Sequence, residues 1–173
     1  MHHWALRPVT AADAAFLLQV YAGTRADELA LTSWDTVTRD TFVRQQAQAQ
    51  ATHYQAHWPA AEHVVITLQQ GGRSHDVGRL WLHRSADAVH VLDVAVLPAW
   101  RAQGVGGQVL QQLQHQARAQ GQALTIHVES GNPARHLYDR LGFLPVGQPD
   151  GLHQFMRWHA AHTATLESCD EQA

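Results

Sequence analysis

The residues with the clearest chemistry form a glycine-rich segment, RAQGVGG, at positions 101–107. Its glycines allow backbone amides to approach an anion closely. The segment separates an apolar stretch, VHVLDVAVL at 89–97, from a stretch whose apolar residues recur at helical spacing. The N-terminus of such a helix presents unpaired N–H donors and about half a positive charge. The segment therefore predicts a phosphate-binding loop, and a glycine-rich turn without a ligand is the alternative.

The spacing of the glycines excludes two familiar nucleotide sites. A nucleoside-triphosphate P-loop requires GxxxxGK[ST], but Gly106 is followed by Gly107 and Gln108, and the chain contains no lysine. A dinucleotide-binding fingerprint requires GxGxxG, which Gly104-x-Gly106-Gly107 does not supply. All 12 basic residues are arginines, so a phosphate site must use backbone amides and arginine.

Two further groups of residues have side chains that could do chemistry. Asp93 is a lone carboxylate in the apolar stretch, so it needs a partner or a catalytic purpose, and a structural acid bonded to backbone or arginine is equally possible. The chain has 14 histidines, and His53 and His57 would share one helical face. No nearby acid or cysteine completes a site with them, so we predict no metal.

The whole-chain composition is that of an ordinary soluble protein, with 45% hydrophobic and 16% charged residues. No apolar run approaches the roughly 20 residues that cross a bilayer, so we expect no membrane partner. The first residues do not form a signal peptide, and the single Cys169 fits a reducing compartment, so we expect a cytoplasmic protein. A net charge of -3 with scattered arginines argues against nucleic acid.

Two helices are predicted in the N-terminal part. Thr10 and Asp13 resemble a capping box, and apolar residues follow at helical spacing over 11–21. Residues 24–34 have no clean period and are expected to form a loop or a short helix. The glutamine- and alanine-rich stretch at 35–57 predicts a long helix that ends at a Trp-Pro pair.

The rest of the chain alternates strands with two more helices. The first three strands form a meander, and the third is joined to the fourth through a helix in a parallel βαβ unit. A short helix and a final antiparallel hairpin follow. The predicted strands lie at 62–70, 74–83, 89–97 and 123–129, and the predicted helices at 104–119 and 133–141. We expect one domain at 1–160 and a mobile C-terminal tail at 161–173.

Two motifs make the chain resemble the GNAT acetyltransferases. Arg101, Gly104 and Gly106 match the [RQ]xxGx[GA] motif of that family, and SGNPARHLYDRLGF resembles its second signature of asparagine, tyrosine and a closing Gly-Phe. The resemblance covers 89–145, whereas the N-terminal half matches only in element order. It implies an α/β GNAT fold with about seven strands in a mixed, mostly antiparallel sheet, a parallel βαβ cofactor unit and about four helices.

The same resemblance implies acetyl-CoA as the co-substrate. In GNAT proteins the strands before the loop and after the helix splay apart, and the pantetheine arm lies between them. Backbone groups of Val94, Ala95 and Val96 would bind that arm, and Asn132 would both cap a helix and contact pantetheine. The residues that would hold the pyrophosphate are Arg101, Ala102, Gln103, Gly104, Val105, Gly106, Gly107 and Gln108.

Acetyl transfer to an amine needs one group that removes a proton and another that donates one. Tyr138 matches the general acid of the family, and an aromatic residue that only packs under the sheet is the alternative. His127 matches the position of a catalytic glutamate in ribosomal-protein N-terminal acetyltransferases when the alignment is anchored on Asn132. Anchoring on Tyr138 places Ile126 there instead. Asp93, as a lone carboxylate in an apolar strand, is the second candidate base, followed by Glu129 or ordered water.

The activity that the resemblance implies is transfer of acetyl to a primary amine of a small molecule or peptide. Arg25, Glu28 and Trp34 lie where GNAT enzymes line the acceptor pocket. The alternatives are a non-catalytic acyl-CoA-binding sensor or interaction module, and a GNAT enzyme with another donor, such as succinyl-CoA. A homodimer is left open.

Overall fold

The computed structural model describes residues 3–160, which contain seven strands and four α-helices. The predicted tail at 161–173 lies outside the described residues. The strands are β1 (His3–Pro8), β2 (Glu62–Gln70), β3 (Arg73–Arg84), β4 (Ala88–Val96), β5 (Ala123–Glu129), β6 (Leu144–Pro145) and β7 (His153–Trp158). The α-helices are α1 (Ala14–Ala30), α2 (Thr36–His57), α3 (Val105–Ala119) and α4 (Arg135–Arg140).

The seven strands form a sheet in the order β1-β2-β3-β4-β5-β7-β6. β4 and β5 pair in parallel, and α3 connects them, because parallel neighbours need a crossover connection. β1 with β2, β5 with β7, and β6 with β7 pair antiparallel. The predicted fold class, a mixed and mostly antiparallel sheet with a βαβ unit and four helices, is confirmed.

Three elements differ from the sequence-based prediction by more than one residue. β1 was not predicted, because its pairing with β2, from His3 opposite Gln69 to Pro8 opposite Val64, joins segments distant in sequence. α1 continues to Ala30, through residues for which a loop or a short helix was predicted. α4 is confined to Arg135–Arg140 instead of 133–141, since a turn precedes it.

A network of ionic hydrogen bonds anchors the N-terminal segment. Arg7 of β1 donates from Nη2 to Asp13 at 2.7 Å and to Asp76 of β3 at 2.7 Å. Asp13 also accepts from the backbone N–H of Thr10 at 2.7 Å, and the predicted capping box of Thr10 and Asp13 is confirmed. Arg7 and the Thr10 amide hold the pKa of the Asp13 carboxyl well below its usual range. These bonds hold the segment between β1 and α1 in place.

The chain divides into two compact units, which we describe separately. The first comprises residues up to Trp81 together with Asp93–Val105, and the second comprises Leu82–Leu92 and the residues from Gly106 onward. Apolar side chains form the interior of each. In the first they include Val20, Val43, Val65, Ile66, Leu68, Val77 and Leu80, and in the second Val89, Val91, Val109, Leu110, Leu113, Leu124, Ile126 and Met156. The single domain at 1–160 stays a prediction.

Candidate active site

The glycine-rich segment forms a loop that leads directly into α3. Ala102 and Gly104 have φ angles of 61° and 77°, in the left-handed region. Glycine adopts this region freely, whereas alanine does so at a cost of about 1–2 kcal/mol. The first four amides of an α-helix, counted from its N-cap, lack an intrahelical acceptor, and here they belong to the residues from Gly104 to Gly107. The predicted segment therefore presents backbone donors where an anion would bind.

The two glycines in the first turn of α3 face different surroundings. A Cβ atom at Gly106 would meet no atom within 4 Å, so this position faces open space. A Cβ at Gly107 would lie 3.5 Å from Cδ1 of Leu137 and would thus contact the protein. The first turn of α3 is therefore open at Gly106, the position where we predict the phosphate.

The side chain of Arg101 supports the loop from within the protein. Its Nε donates to the carbonyl oxygen of Val96 at 3.1 Å, and its Nη2 donates to that of Gly23 in α1 at 2.8 Å. The Gln103 amide approaches the carbonyl of Ala99 at 3.4 Å. The Arg101 guanidinium, which was predicted to contact phosphate, thus already binds two backbone carbonyls. These bonds fix the loop against β4 and α1.

The last residues of β4, predicted to bind pantetheine, have an unusual neighbour in β3. A Cβ at Gly78 would collide with the carbonyl oxygen of Ala95. Carbonyl and N–H groups of a trans peptide point in opposite directions, so the N–H of Val96 points away from Gly78. The parallel ladder with β5 ends at the pair Val91 and Ile126, and β4 continues to Val96 beyond it.

Asp93 lies in the interior of the first unit, where Arg79 of β3 is its ionic partner. Arg79 Nε donates to Asp93 Oδ2 at 2.8 Å, and Arg79 Nη2 donates to Gln50 Oε1 of α2 at 2.7 Å. The side chains of Arg79 and Asp93 are 6% and 19% exposed. Burial raises the pKa of the Asp93 carboxyl above its ordinary value, and Arg79 opposes this shift. One of the two alternatives for Asp93 was a structural acid bonded to arginine, and Arg79 is that arginine.

The three residues predicted for the acceptor pocket fall into two groups. Arg25 donates to both carboxylate oxygens of Glu28 at 3.0 and 3.1 Å, and its guanidinium lies 5.8 Å from the ring centroid of Tyr21. Trp34 instead packs edge-on against Phe42 at 5.2 Å. It lines a cavity of about 340 Å³ with Val37, Thr38, Thr41, Phe42 and Gln45.

The remaining predicted catalytic residues belong to the second unit. His127 is exposed on β5, with its ring 4.8 Å from that of Phe155, and partial burial lowers its pKa. Tyr138 is only 5% exposed, and its ring lies 5.9 Å from Phe143. The packing of the Tyr138 ring is thus sufficient to explain an aromatic residue here, and its role as the general acid stays a prediction. Glu129, the further candidate base, lies 3.8 Å from His153 Nε2.

Asn132 does not occupy the predicted helix-capping position. Its Oδ1 accepts from the N–H of Ala134 at 2.9 Å, but Ala134 itself is the N-cap of α4. A turn therefore separates Asn132 and Pro133 from the helix. Asn132 is exposed, so its side-chain amide nitrogen is on the surface of the second unit.

The sequence analysis missed the partners of Asp93. Arg79 lies in a run of buried residues, VGRLWL, and a cation in such a run needs an anion for the same reason that Asp93 needs a cation. Pairing these two isolated charges would have found the contact. Gln50 carries no such signal, because glutamine is common throughout α2.

Within residues 3–160, no group of three or more histidine, cysteine, aspartate or glutamate side chains is arranged to hold a metal ion. None of the described helices is long and apolar enough to span a membrane.

Several solved structures resemble the fold at low sequence identity. The PaiA N-acetyltransferase of Thermoplasma acidophilum, in complex with coenzyme A, is 14% identical with a TM-score of 0.63, over 91% of this chain and 99% of that one. The spermidine N-acetyltransferase of Vibrio cholerae, with CoA and spermine, is 15% identical with a TM-score of 0.58, over 89% and 92%. The putative acetyltransferase YncA of Salmonella typhimurium, with acetyl-CoA, is 21% identical with a TM-score of 0.52, over 90% and 93%.

The sequence gives a second and independent comparison. No curated protein matches the chain. The family model of the acetyltransferase (GNAT) domain matches residues 59–145, half of the chain, which include β2 to β5, α3, α4 and the glycine-rich loop. The protein whose loop, helix N-terminus and βαβ unit are described above therefore belongs to the GNAT acetyltransferase family.

Proposed function

We propose that the protein transfers an acetyl group from acetyl-CoA directly to the primary amine of a small molecule or peptide. The observation that carries this proposal is the open helix N-terminus at Gly106, with its four unpaired amides, which suits the pyrophosphate of the donor. The neighbours that contain CoA or acetyl-CoA support the choice of donor. The spermidine acetyltransferase supports a small amine as acceptor.

The transfer needs one bond to form and one to break. The amine nitrogen attacks the thioester carbonyl, the C–N bond forms, and the C–S bond breaks to release CoA. The N–H of Val96, directed away from Gly78, is suited to stabilise the oxyanion, a contribution of roughly 3 kcal/mol for one donor. One proton leaves the amine, and one proton reaches the thiolate.

We assign proton removal to Asp93 first and to His127 second. Arg79 fixes one oxygen of Asp93, so the carboxylate is positioned, and 19% of the side-chain surface remains exposed. Asp93 also directly precedes the segment Val94 to Val96. His127 is the alternative base, since imidazole accepts a proton near neutral pH. Tyr138 is assigned to protonate the thiolate.

The test is release of CoA in the presence of polyamines, amino acids, aminoglycosides and peptides. Tyr138→Phe keeps the ring but loses the proton donor, so kcat should fall by about 10- to 1000-fold while acetyl-CoA affinity is retained. Asp93→Asn and His127→Gln are compared on the best acceptor, and the base is the residue whose loss removes the low-pH limb of kcat/KM. Tight binding of acetyl-CoA without release of CoA in the presence of any acceptor would favour the non-catalytic sensor. Faster release of CoA from succinyl-CoA than from acetyl-CoA would identify succinyl-CoA as the donor.

A further inference from the structure

A buried cation lies at the centre of the first unit. Arg79 is 5% exposed, and its neighbours in β3 from Val77 to Leu82 are buried as well. Transferring an unpaired guanidinium into such an interior is strongly unfavourable, so its partners decide whether it is tolerated. In the mechanism proposed above, Arg79 only donates a hydrogen bond to Asp93, and neither its charge nor its contact with Gln50 has a role.

The partners of Arg79 come from three other elements. Its Nε binds Asp93 of β4 at 2.8 Å, and its Nη2 binds the side-chain oxygen of Gln50 in α2 at 2.7 Å. Its guanidinium lies 5.5 Å from the ring centroid of Tyr21 in α1. Gln50 also hydrogen-bonds Tyr54, one turn further along α2. The planar guanidinium is thus held in one orientation, which a single contact could not achieve.

This arrangement leaves one face of the Asp93 carboxylate available. Arg79 approaches only Oδ2, and among the described residues Oδ1 has no hydrogen-bond partner. A buried pair with a purely structural role would be expected to satisfy both oxygens, because a free carboxylate oxygen away from water is costly. The unoccupied acceptor position on Oδ1 and the residual exposure of Asp93 fit an atom that receives a proton.

We propose that Arg79, anchored by Gln50, is a positioning residue that orients the Asp93 carboxylate and keeps it ionised to accept a proton from the acceptor amine. This inference rests on the proposed function and adds roles for Arg79 and Gln50. Arg79 itself does not contact the reacting atoms. It acts through the carboxylate it holds.

The charges around Asp93 determine the sign of the effect. Arg79 of β3 is the cation that faces it, Tyr54 of α2 interacts with it electrostatically, and Arg25 and Tyr21 of α1 lie beyond Arg79. Burial and Arg79 together lower the pKa of His63 in β2 to about 4, so this histidine is neutral at pH 7. Loss of the Arg79 charge would therefore raise the pKa of Asp93, since burial would act on it unopposed.

The first experiment measures kcat/KM against pH for matched variants. In Arg79→Gln, the low-pH limb should move upward by at least about one pH unit, and kcat should fall at least tenfold, with acetyl-CoA affinity unchanged. Arg79→Lys keeps the charge and should return the limb to its wild-type position. Arg44→Gln makes the same substitution at an exposed position of α2 and should change neither quantity. A limb that stays in place in Arg79→Gln would overturn the inference.

Two further measurements separate this inference from the proposed function. The carboxyl ¹³C resonance of Asp93 reports its titration without any turnover, and Arg79→Gln should shift its midpoint upward even if no acceptor is known. An unchanged midpoint overturns the inference alone, whereas a low-pH limb that persists in Asp93→Asn refutes Asp93 as the base. If Arg79→Gln does not fold, Gln50→Met keeps the cation but removes its anchor. That variant should lower kcat without moving the limb, and wild-type kcat in it would refute the role of Gln50.

Discussion

Replacement of Gly106 by leucine tests the cofactor loop most directly. A Cβ at this position would meet no protein atom within 4 Å, so the leucine should fit the protein without its ligand. Leucine is also a better helix former than glycine by roughly 0.7 kcal/mol. For a chain of this length about 1 kcal/mol corresponds to 2–4 °C, so the melting temperature of the ligand-free variant should rise by about 1–3 °C.

The effect of acetyl-CoA should be opposite in sign. A ligand at 100 times its Kd stabilises the folded state by about 2.7 kcal/mol, which corresponds to a rise of about 5–11 °C in the wild type. The leucine side chain fills the space that the pyrophosphate would occupy and should reduce this rise to less than about 1 °C. Gln111→Leu adds the same side chain to an exposed position of α3 and should keep the full rise.

The assay is thermal unfolding with and without acetyl-CoA, with calorimetry for the affinity. An equal rise in Gly106→Leu and wild type would refute the placement of the pyrophosphate at this helix end. No rise in the wild type at millimolar acetyl-CoA, together with no heat of binding, would refute the proposed cofactor itself. A lower melting temperature of the ligand-free variant would show that the space at Gly106 is not open.

Three more predictions concern stability. Gly78→Ala places a methyl group against the carbonyl oxygen of Ala95 and should lower stability by about 1–3 kcal/mol in urea unfolding, whereas Gly131→Ala meets open space and should have little effect. Burial lowers the pKa of His63 from its ordinary 6.5 to about 4, so its contribution to the free energy of unfolding should be fully present above pH 6.5 and be lost towards pH 4. His63→Phe should make this loss of stability less steep. Arg7 lowers the pKa of Asp13, so its contribution is present above the ordinary value of 3.8 and is lost on further acidification, and Asp13→Asn should make unfolding between pH 4 and 2 less steep.

Each of these has a clear contrary result. Wild-type stability in Gly78→Ala would mean that β3 and β4 can separate at this point without cost. Parallel stability curves for wild type and His63→Phe between pH 6.5 and 4 would show that the histidine remains accessible to protons. An equally steep acid transition in Asp13→Asn would assign the acid sensitivity to other carboxylates.

The loop and the βαβ unit could be predicted from the sequence because their signals are local. Glycines at 104, 106 and 107 follow an apolar strand and precede a helical period, and adjacent residues fix all of these features. β1 could not be found this way, since its six residues gain their structure from β2, some 60 positions away. α1 likewise passes through a stretch without a clean period, where the Arg25 and Glu28 pair on successive turns supports it.

The chemistry of the site was predictable to a lesser degree. Asp93 could be singled out from the sequence, because a charged residue within an apolar strand needs a partner or a catalytic role, and the strand alone shows the pattern. Its partner Arg79 lies 14 residues earlier and Gln50 a further 29, so the network exists only when three elements pack together. The misplacement of Asn132 as a helix cap has another cause: the turn at Pro133 and Ala134 precedes the helix instead of opening it.

The two hydrogen bonds of Arg101 connect the glycine-rich loop to the end of β4 and to the middle of α1. Gly23, whose carbonyl accepts one of them, lies a little over one helical turn before Glu28 on α1. A helix is stiff over so short a length, so we expect a ligand that shifts the loop to shift Arg25 and Glu28 as well. If both proposed sites are correct, we expect occupancy of the loop and affinity at this face of α1 to be linked, equally in both directions.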